Sequence, residues 1–312
     1  MTYNHPKLLF SPHLETIFPA LFRKVKDISY QRERIDTPDG DFLDLDWVKN
    51  GSKKLVIVSH GLEGSADRPY MKGMARALSH NGFDVLAWNF RGCSEEMNRL
   101  PRFYHSGATE DLETVVQHAS AQSYKEINLV GFSLGGNLTL KFVGEKKRPL
   151  INKAVAISVP LNLHTSCIKI SEQSNFLYSR RFLRNLKAKI KAKAKQLPDQ
   201  IKLNGMASIN TLMDFDDAYT APLHGFDSAI HYYESCSSIN FLDSIETPTL
   251  IVNAANDPFL SKECYPVQQL ENHALVKFEM PSHGGHVGFT QFGKNNTYWS
   301  ESRALRFIQA GE

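Results

Sequence analysis

Short apolar runs alternate with stretches of helical spacing along most of the chain. Ile28–Asp36 and Phe42–Val48 alternate polar and apolar residues on either side of Pro38-Asp39-Gly40, which predicts an antiparallel hairpin at a sheet edge. Lys54–Ser59 (KLVIVS) is a continuous apolar run, as expected of a strand buried on both faces. Met71–His80 has helical spacing and stops at Asn81-Gly82. A strand at Asp84–Trp88 follows. The helix at Ala108–Ala121 has Glu110, Asp111 and Glu113 near its start, where the helix dipole favours acids. Ile127–Val130 then reads as a strand, Gly136–Gly144 as a helix and Lys153–Val159 as a strand. Pro248–Asn253 and Leu275–Phe278 are two more buried strands, and Tyr298–Ile308 is the last helix. Strands alternating with helices predict a mostly parallel, eight-stranded α/β sheet, with ligands at the carboxyl ends of its strands. The alternation lapses between about Asn162 and Phe226, where the chain is helical and lysine-rich. The expected organisation is therefore a core of residues 1–161 and 227–312 with a helical cap inserted at 162–226.

Composition narrows the class. The 312 residues are 42% apolar and 22% charged, ordinary for a soluble globular protein. A net charge of +3 gives no footprint for nucleic acid. No apolar run reaches the ~18 residues of a membrane span. The opening MTYNHPKLLFSPHLETIFPALFRK is interrupted by Pro6, Pro12 and Pro19, so neither signal peptide nor anchor is expected. Cys93, Cys167, Cys236 and Cys264 lie far apart with no C-x-x-C pattern. Free thiols in a reducing compartment follow, with the cytoplasm as the expected location and no metal site.

The candidate chemistry lies where Ile127–Val130 meets Gly131-Phe132-Ser133-Leu134-Gly135. Gly-x-Ser-x-Gly between a buried strand and a helix is a nucleophile elbow: the turn is so sharp that bulky residues two positions away would clash, and the serine oxygen is left exposed above the sheet. The plainer alternative is a serine that only fills a tight turn. A serine hydroxyl needs a base to take its proton. In α/β hydrolases the partners follow in the order Ser, Asp, His. Asp257 is the only carboxylate immediately past strand Pro248–Asn253. After Leu275–Phe278 come His283 and His286, and Gly284-Gly285 would let the loop carry His286 back toward the serine. The oxyanion donors expected of the fold are the backbone amides of Leu62, in the His60-Gly61-Leu62 turn, and Leu134, the residue after the serine. His60 itself reads as a structural residue of that turn.

These segments together resemble the bacterial esterase family of α/β-hydrolase-fold proteins that also includes membrane-anchored animal α/β-hydrolase-domain lipases. The resemblance is carried by HLETIFPALFRK, HGLEG, NFRGCSEEMNRLPRFYHSGATEDLE, GFSLGGN, ISVPLNL, FDDAYTAPLHGF and SHGGHVGF, in order from His13 to Phe289. It implies a Ser133–Asp257–His286 triad, selects His286 over His283, and implies an esterase-type hydrolase with a helical cap; the expected chemistry needs no metal or cofactor. The chain departs from the family in having Asn256 where a second acid is common, and Glu95-Glu96-Met97 where Gly-Glu-Pro is common. An N-terminal anchor like that of the animal relatives is not expected.

The expected function is hydrolysis of acyl esters, possible lipid-like substrates included, through an acyl-enzyme. Thioesterase and acyltransferase chemistry share that intermediate, and a catalytically silent binding protein is the reading from another class. The Arg91–Gly107 segment reads chiefly as a loop fastened over the sheet, with Arg91, Cys93 and His105 as its fastenings or as pocket lining. The acids of Phe215–Phe226 read as structural. From Thr165 to Asn204 there are ten Lys or Arg residues against two acids, Glu172 and Asp199. Arg180, Arg184, Lys187, Lys191 and Lys195 fall on one face of a predicted helix; the plainer reading is a cap helix with its apolar side on the core and its lysines in water, and the sharper one is a salt-sensitive contact with anionic amphiphiles or membrane surfaces.

Overall fold

A computed structural model describes residues 1–293 and 295–310. In chain order its elements are α1 (Pro12–Phe22), β1 (Gln31–Asp36), β2 (Phe42–Val48), β3 (Lys54–Ser59), α2 (Pro69–Ser79), β4 (Asp84–Asn89), α3 (Thr109–Ser120), β5 (Glu126–Phe132), α4 (Leu134–Glu145) and β6 (Ile151–Ile157). Then come α5 (Leu163–Ser171), α6 (Phe176–Gln196), α7 (Leu212–Phe215), a π-helical turn at Asp216–Thr220, α8 (Ala221–Leu223), α9 (Ala229–Cys236), β7 (Thr249–Val252), α10 (Val267–Leu270), β8 (Val276–Glu279) and α11 (Trp299–Gln309). The eight strands form one sheet in the order β1-β2-β4-β3-β5-β6-β7-β8. Only β1–β2 and β2–β4 pair antiparallel. From β4 to β8 every pairing is parallel.

The continuous apolar runs form strands covered on both faces. Leu55 and Ile57 of β3 pack with Leu86, Trp88 and Leu129 and with Leu112 of α3 and Leu138 of α4. Val56 and Val58 point the other way, toward Met71, Met74 and Leu78 of α2 and Trp299 and Ile308 of α11. A helix over each face removes a strand's whole side-chain row from water, and each fully buried Val, Leu or Ile contributes about 1.5–3 kcal/mol.

The Arg91–Gly107 loop is fastened by charge. Arg91 donates two hydrogen bonds to Asp111 (2.6 and 2.8 Å) and one to Asp39 (2.8 Å). Asn98 Nδ2 donates to Asp41 (2.7 Å). Further along, Asp217 accepts from the Ala229 amide at 2.6 Å, tying the π-helical turn to α9.

Helix α1 was not expected, because its prolines read as interruptions. Pro12 instead occupies the first helical turn, where a missing N–H costs nothing, and Ser11 caps the helix by accepting from the Leu14 amide. Arg23 at its end is buried and donates to both oxygens of Glu301 on α11 (2.5 and 3.0 Å). Among the described residues, no helix is long and apolar enough to cross a membrane.

Candidate active site

Strand β5 ends at Phe132, and Ser133 turns the chain into α4 with φ +53° and ψ −121°. A positive φ at a non-glycine residue stores strain, on the order of 1–2 kcal/mol, that the surroundings must hold. The flanking glycines have no room for a side chain. A Cβ on Gly131 would stand 2.2 Å from the Gly135 carbonyl oxygen, and one on Gly135 would stand 2.4 Å from the His60 carbonyl oxygen. The spacing of glycines therefore serves backbone approach on both sides of Ser133.

The loops after β7 and β8 bring Asp257 and His286 to this serine. His286 Nε2 lies 2.9 Å from Ser133 Oγ, and His286 Nδ1 lies 2.9 and 3.1 Å from the two oxygens of Asp257. With Nδ1 facing a carboxylate, Nδ1 carries the proton and Nε2 is free to accept from the serine hydroxyl. Asp257 is buried and also accepts from the Phe259 amide at 2.9 Å, while the Phe259 ring packs 4.2 Å from the His286 ring.

His283 lies elsewhere. Its Nδ1 is 3.0 Å from Glu15 Oε1 of α1, and its ring stacks on His5 at 3.6 Å. Glu15 also accepts from the Gly284 amide (2.8 Å) and from Asn256 Nδ2 (2.8 Å), and Asn256 Oδ1 accepts from the Gly285 amide (3.1 Å). Thr16 Oγ1 accepts from the His286 amide (2.9 Å). So α1 shapes the loop that presents His286, a role with no local signature in the sequence beyond the HLET segment. Asn256 donates to the buried Glu15, as an amide can and a carboxylate could not. Gly284 (φ +147°) and Gly285 (φ +56°) make the bend, and a Cβ on Gly284 would meet the Phe289 ring at 2.5 Å.

On the other side of the serine, a Cβ on Gly61 would come within 3.1 Å of Ser133 Cβ. The turn there is held by Tyr70 OH, which accepts from the Gly61 amide (2.9 Å), and Tyr104 OH, which accepts from the Glu63 amide (2.9 Å). His60 holds it from below: Nδ1 bonds the Gly61 carbonyl (2.7 Å) and Nε2 accepts from the Phe90 amide (3.1 Å). Burial pushes the His60 imidazole down to about 3, so it stays neutral. Among the described residues, the amides of Leu62 and Leu134 donate to no protein group.

Ser133, Leu62, Phe182 and Phe259 are shared by two cavities. One, of ≈ 130 Å³, runs under α5–α7 past Leu163, Ile190 and Phe215. The other, of ≈ 310 Å³, opens between α1 and α6 past Ile17, Tyr178 and His286. Both are lined mainly by apolar side chains, which suits a ligand with an apolar group on each side of the reacting bond.

A serine elbow over a mostly parallel eight-stranded sheet, with a histidine and an aspartate supplied by the loops after the last two strands, defines an α/β hydrolase. The chain belongs to the alpha/beta hydrolase fold family, whose model matches residues 54–291. It is 35% identical over 285 residues to the candidate esterase YheT of Escherichia coli (strain K12), covering 89% of this chain and 84% of that one. It is 27% identical over 290 residues to phospholipase ABHD3 of Mus musculus, covering 89% and 70%. The solved structure of the Pyrococcus furiosus esterase Pf2001 superposes with a TM-score of 0.60 at 20% identity, covering 92% of this chain and 97% of that one, a likeness of fold.

Proposed function

We propose that this α/β hydrolase of the esterase and lipase type hydrolyses carboxylic esters of lipid-like acyl groups, with Ser133 as nucleophile, His286 as general base and acid, and Asp257 as the group that orients His286. The observation that carries the reading is the pair of hydrogen bonds on His286, 2.9 Å to Ser133 Oγ and 2.9 Å to Asp257, beside a serine held at positive φ. Ser133 Oγ attacks the ester carbonyl while its proton passes to His286 Nε2. The amides of Leu62 and Leu134 donate to the oxyanion that forms. Collapse of the tetrahedral species breaks the carbon–alkoxy bond, and His286 hands its proton to the departing alcohol. Water then attacks the acyl-enzyme, giving a proton to His286, and the carboxylic acid leaves as that proton returns to Ser133. Asp257 stays ionised and keeps Nδ1 protonated throughout. Every catalytic residue in this proposal belongs to the chain itself.

Residues 162–226 act in this reading as a cap over the core of residues 1–161 and 227–312, closing the smaller cavity around the acyl chain. The free cysteines fit a reducing compartment, the cytoplasm. Labelling with a fluorophosphonate probe, alongside p-nitrophenyl esters of graded acyl length, tests the proposal. The wild type should label and turn over, and Ser133→Ala should keep its fold and lose turnover by about 10⁴-fold or more. A wild type that neither labels nor turns over, or a Ser133→Ala variant within tenfold of it, overturns the assignment.

A further inference from the structure

We propose that the face around the mouth of the larger cavity docks on an anionic lipid bilayer. That face is apolar where solvent should be. Phe10 is 78% exposed, Leu21 63% and Phe22 66% on and before α1, while Phe176 is 53% and Leu177 74% exposed at the start of α6. Phe292, 59% exposed, packs edge-on against Phe18, which in turn packs on Phe22. Exposed apolar side chains gathered in one place mark an interaction surface, whereas single ones do not.

The patch is continuous with the proposed site. Leu21 and Leu177 line the cavity that reaches Ser133 and His286, one from each side of its mouth. His13 of α1 and Tyr178 of α6 join the two helices by a 3.1 Å hydrogen bond, so the two apolar edges form one rim. A lipid leaving a bilayer under this rim would pass into the cavity without crossing water. The link to turnover rests on the esterase reading; the docking itself does not.

Charge selects the occupant. Arg180, Arg181 and Arg184 are exposed on the first half of α6, and among the described residues none is in an ion pair. Arg180 lies over the Phe176 ring, and Lys24 and Lys26 are exposed just past α1. The first half of α6 carries no acid. A second copy of the chain docked face to face would set arginine against arginine, so a surface of anionic head groups fits better than self-association.

This moves the contact expected from the sequence. Lys187 donates to the Ile209 carbonyl at 2.6 Å, Lys189 is paired with Glu63, and Lys193 is buried and donates to the Asn98 carbonyl. Three of the helix's five lysines therefore hold it down, and the outward-facing basic and apolar groups meet at its N-terminal end.

Cosedimentation with phosphatidylglycerol and phosphatidylcholine vesicles, at low and high salt, tests the proposal on the full chain. Wild type should bind phosphatidylglycerol at low salt at least tenfold more tightly than phosphatidylcholine. Phe22→Ser with Phe176→Ser, and separately Arg180→Gln with Arg184→Gln, should each weaken that binding by tenfold or more, while melting temperature stays within about 3 °C and short soluble-ester turnover within twofold of wild type. No binding at low salt, equal binding to both lipids, or binding unmoved by both double variants overturns it. So does a dimer in sedimentation analysis that the same variants dissolve, which would give the face to a second copy. Ser133→Ala should still bind vesicles, so failure of docking and failure of the esterase reading are separately visible.

Discussion

The proposed oxyanion donor at Leu62 is a backbone amide, and no side-chain substitution removes it. Its neighbour offers a way in. Glu63, at φ +50°, accepts from Lys189 Nζ of α6 at 2.6 Å and from Tyr104 OH at 2.8 Å, and the two charged side chains are only 8% and 11% exposed. Burial pushes the Lys189 ammonium down, but facing Cys93 and Glu63 more than offset this and leave its pKa raised. Burial also pushes the Cys93 thiol up to about 11, so at neutral pH the thiol is uncharged and the ion pair of Lys189 is with Glu63. The pair ties α6 to the turn beside Ser133.

Removing one member of a buried pair strands the other charge, at about 3 kcal/mol, the lower end of the usual range because the site keeps some contact with water. Glu63→Gln and Lys189→Met should each lose about that much stability in urea unfolding. Independent effects would sum to about 6 kcal/mol. The double variant should instead lie near either single one, a coupling of about 3 kcal/mol. Loss of a whole oxyanion donor costs 10²–10³-fold in kcat. A loosened turn should cost about tenfold, in kcat and not in KM, in Glu63→Gln on a short soluble ester. Additive stabilities would refute the pairing, and an unchanged kcat in both single variants would refute the link between this pair and the oxyanion turn.

Two other outcomes follow from the geometry. His286→Ala should abolish fluorophosphonate labelling, while His283→Ala, whose partner Glu15 keeps the Gly284 amide and Asn256, should retain most of it at a stability cost of about 1–2 kcal/mol; the reverse labelling pattern would move the base to His283. Burial pushes the Asp216 carboxyl, on the wall of the smaller cavity, up to about 6 from an ordinary 3.8. Between those values the folded protein holds a proton that the unfolded chain has lost, so this group lowers stability as pH rises from about 4 to 6. Asp216→Asn should flatten that part of the urea-midpoint profile, and an unchanged slope would show that Asp216 is not its source.

The strands were legible because burial on both faces leaves a local mark. In β3, Leu55 and Ile57 serve one layer and Val56 and Val58 the other, so the run is apolar without a break. The elbow was legible for a similar reason, since Gly131 and Gly135 answer to backbone atoms a few residues away or on the adjoining turn. Helix α6 was legible in its periodicity, but the destinations of its lysines were not. A lysine stem is long enough to bring Lys193 back to the Asn98 carbonyl from a position that spacing alone assigns no partner. The contribution of α1 was hidden most completely. Glu15 and Thr16 act on Gly284 and His286 about 270 residues later, and no periodicity spans that distance. Asn256 illustrates the consequence. Seen alone it is a missing acid beside Asp257. Seen against Glu15 it is the donor that lets a buried carboxylate stand next to the histidine loop, and an acid in its place would set two carboxylates against each other. The departure from the family pattern at position 256 is thus accounted for only once the unforeseen helix at the N-terminus, with its buried Glu15, is in place.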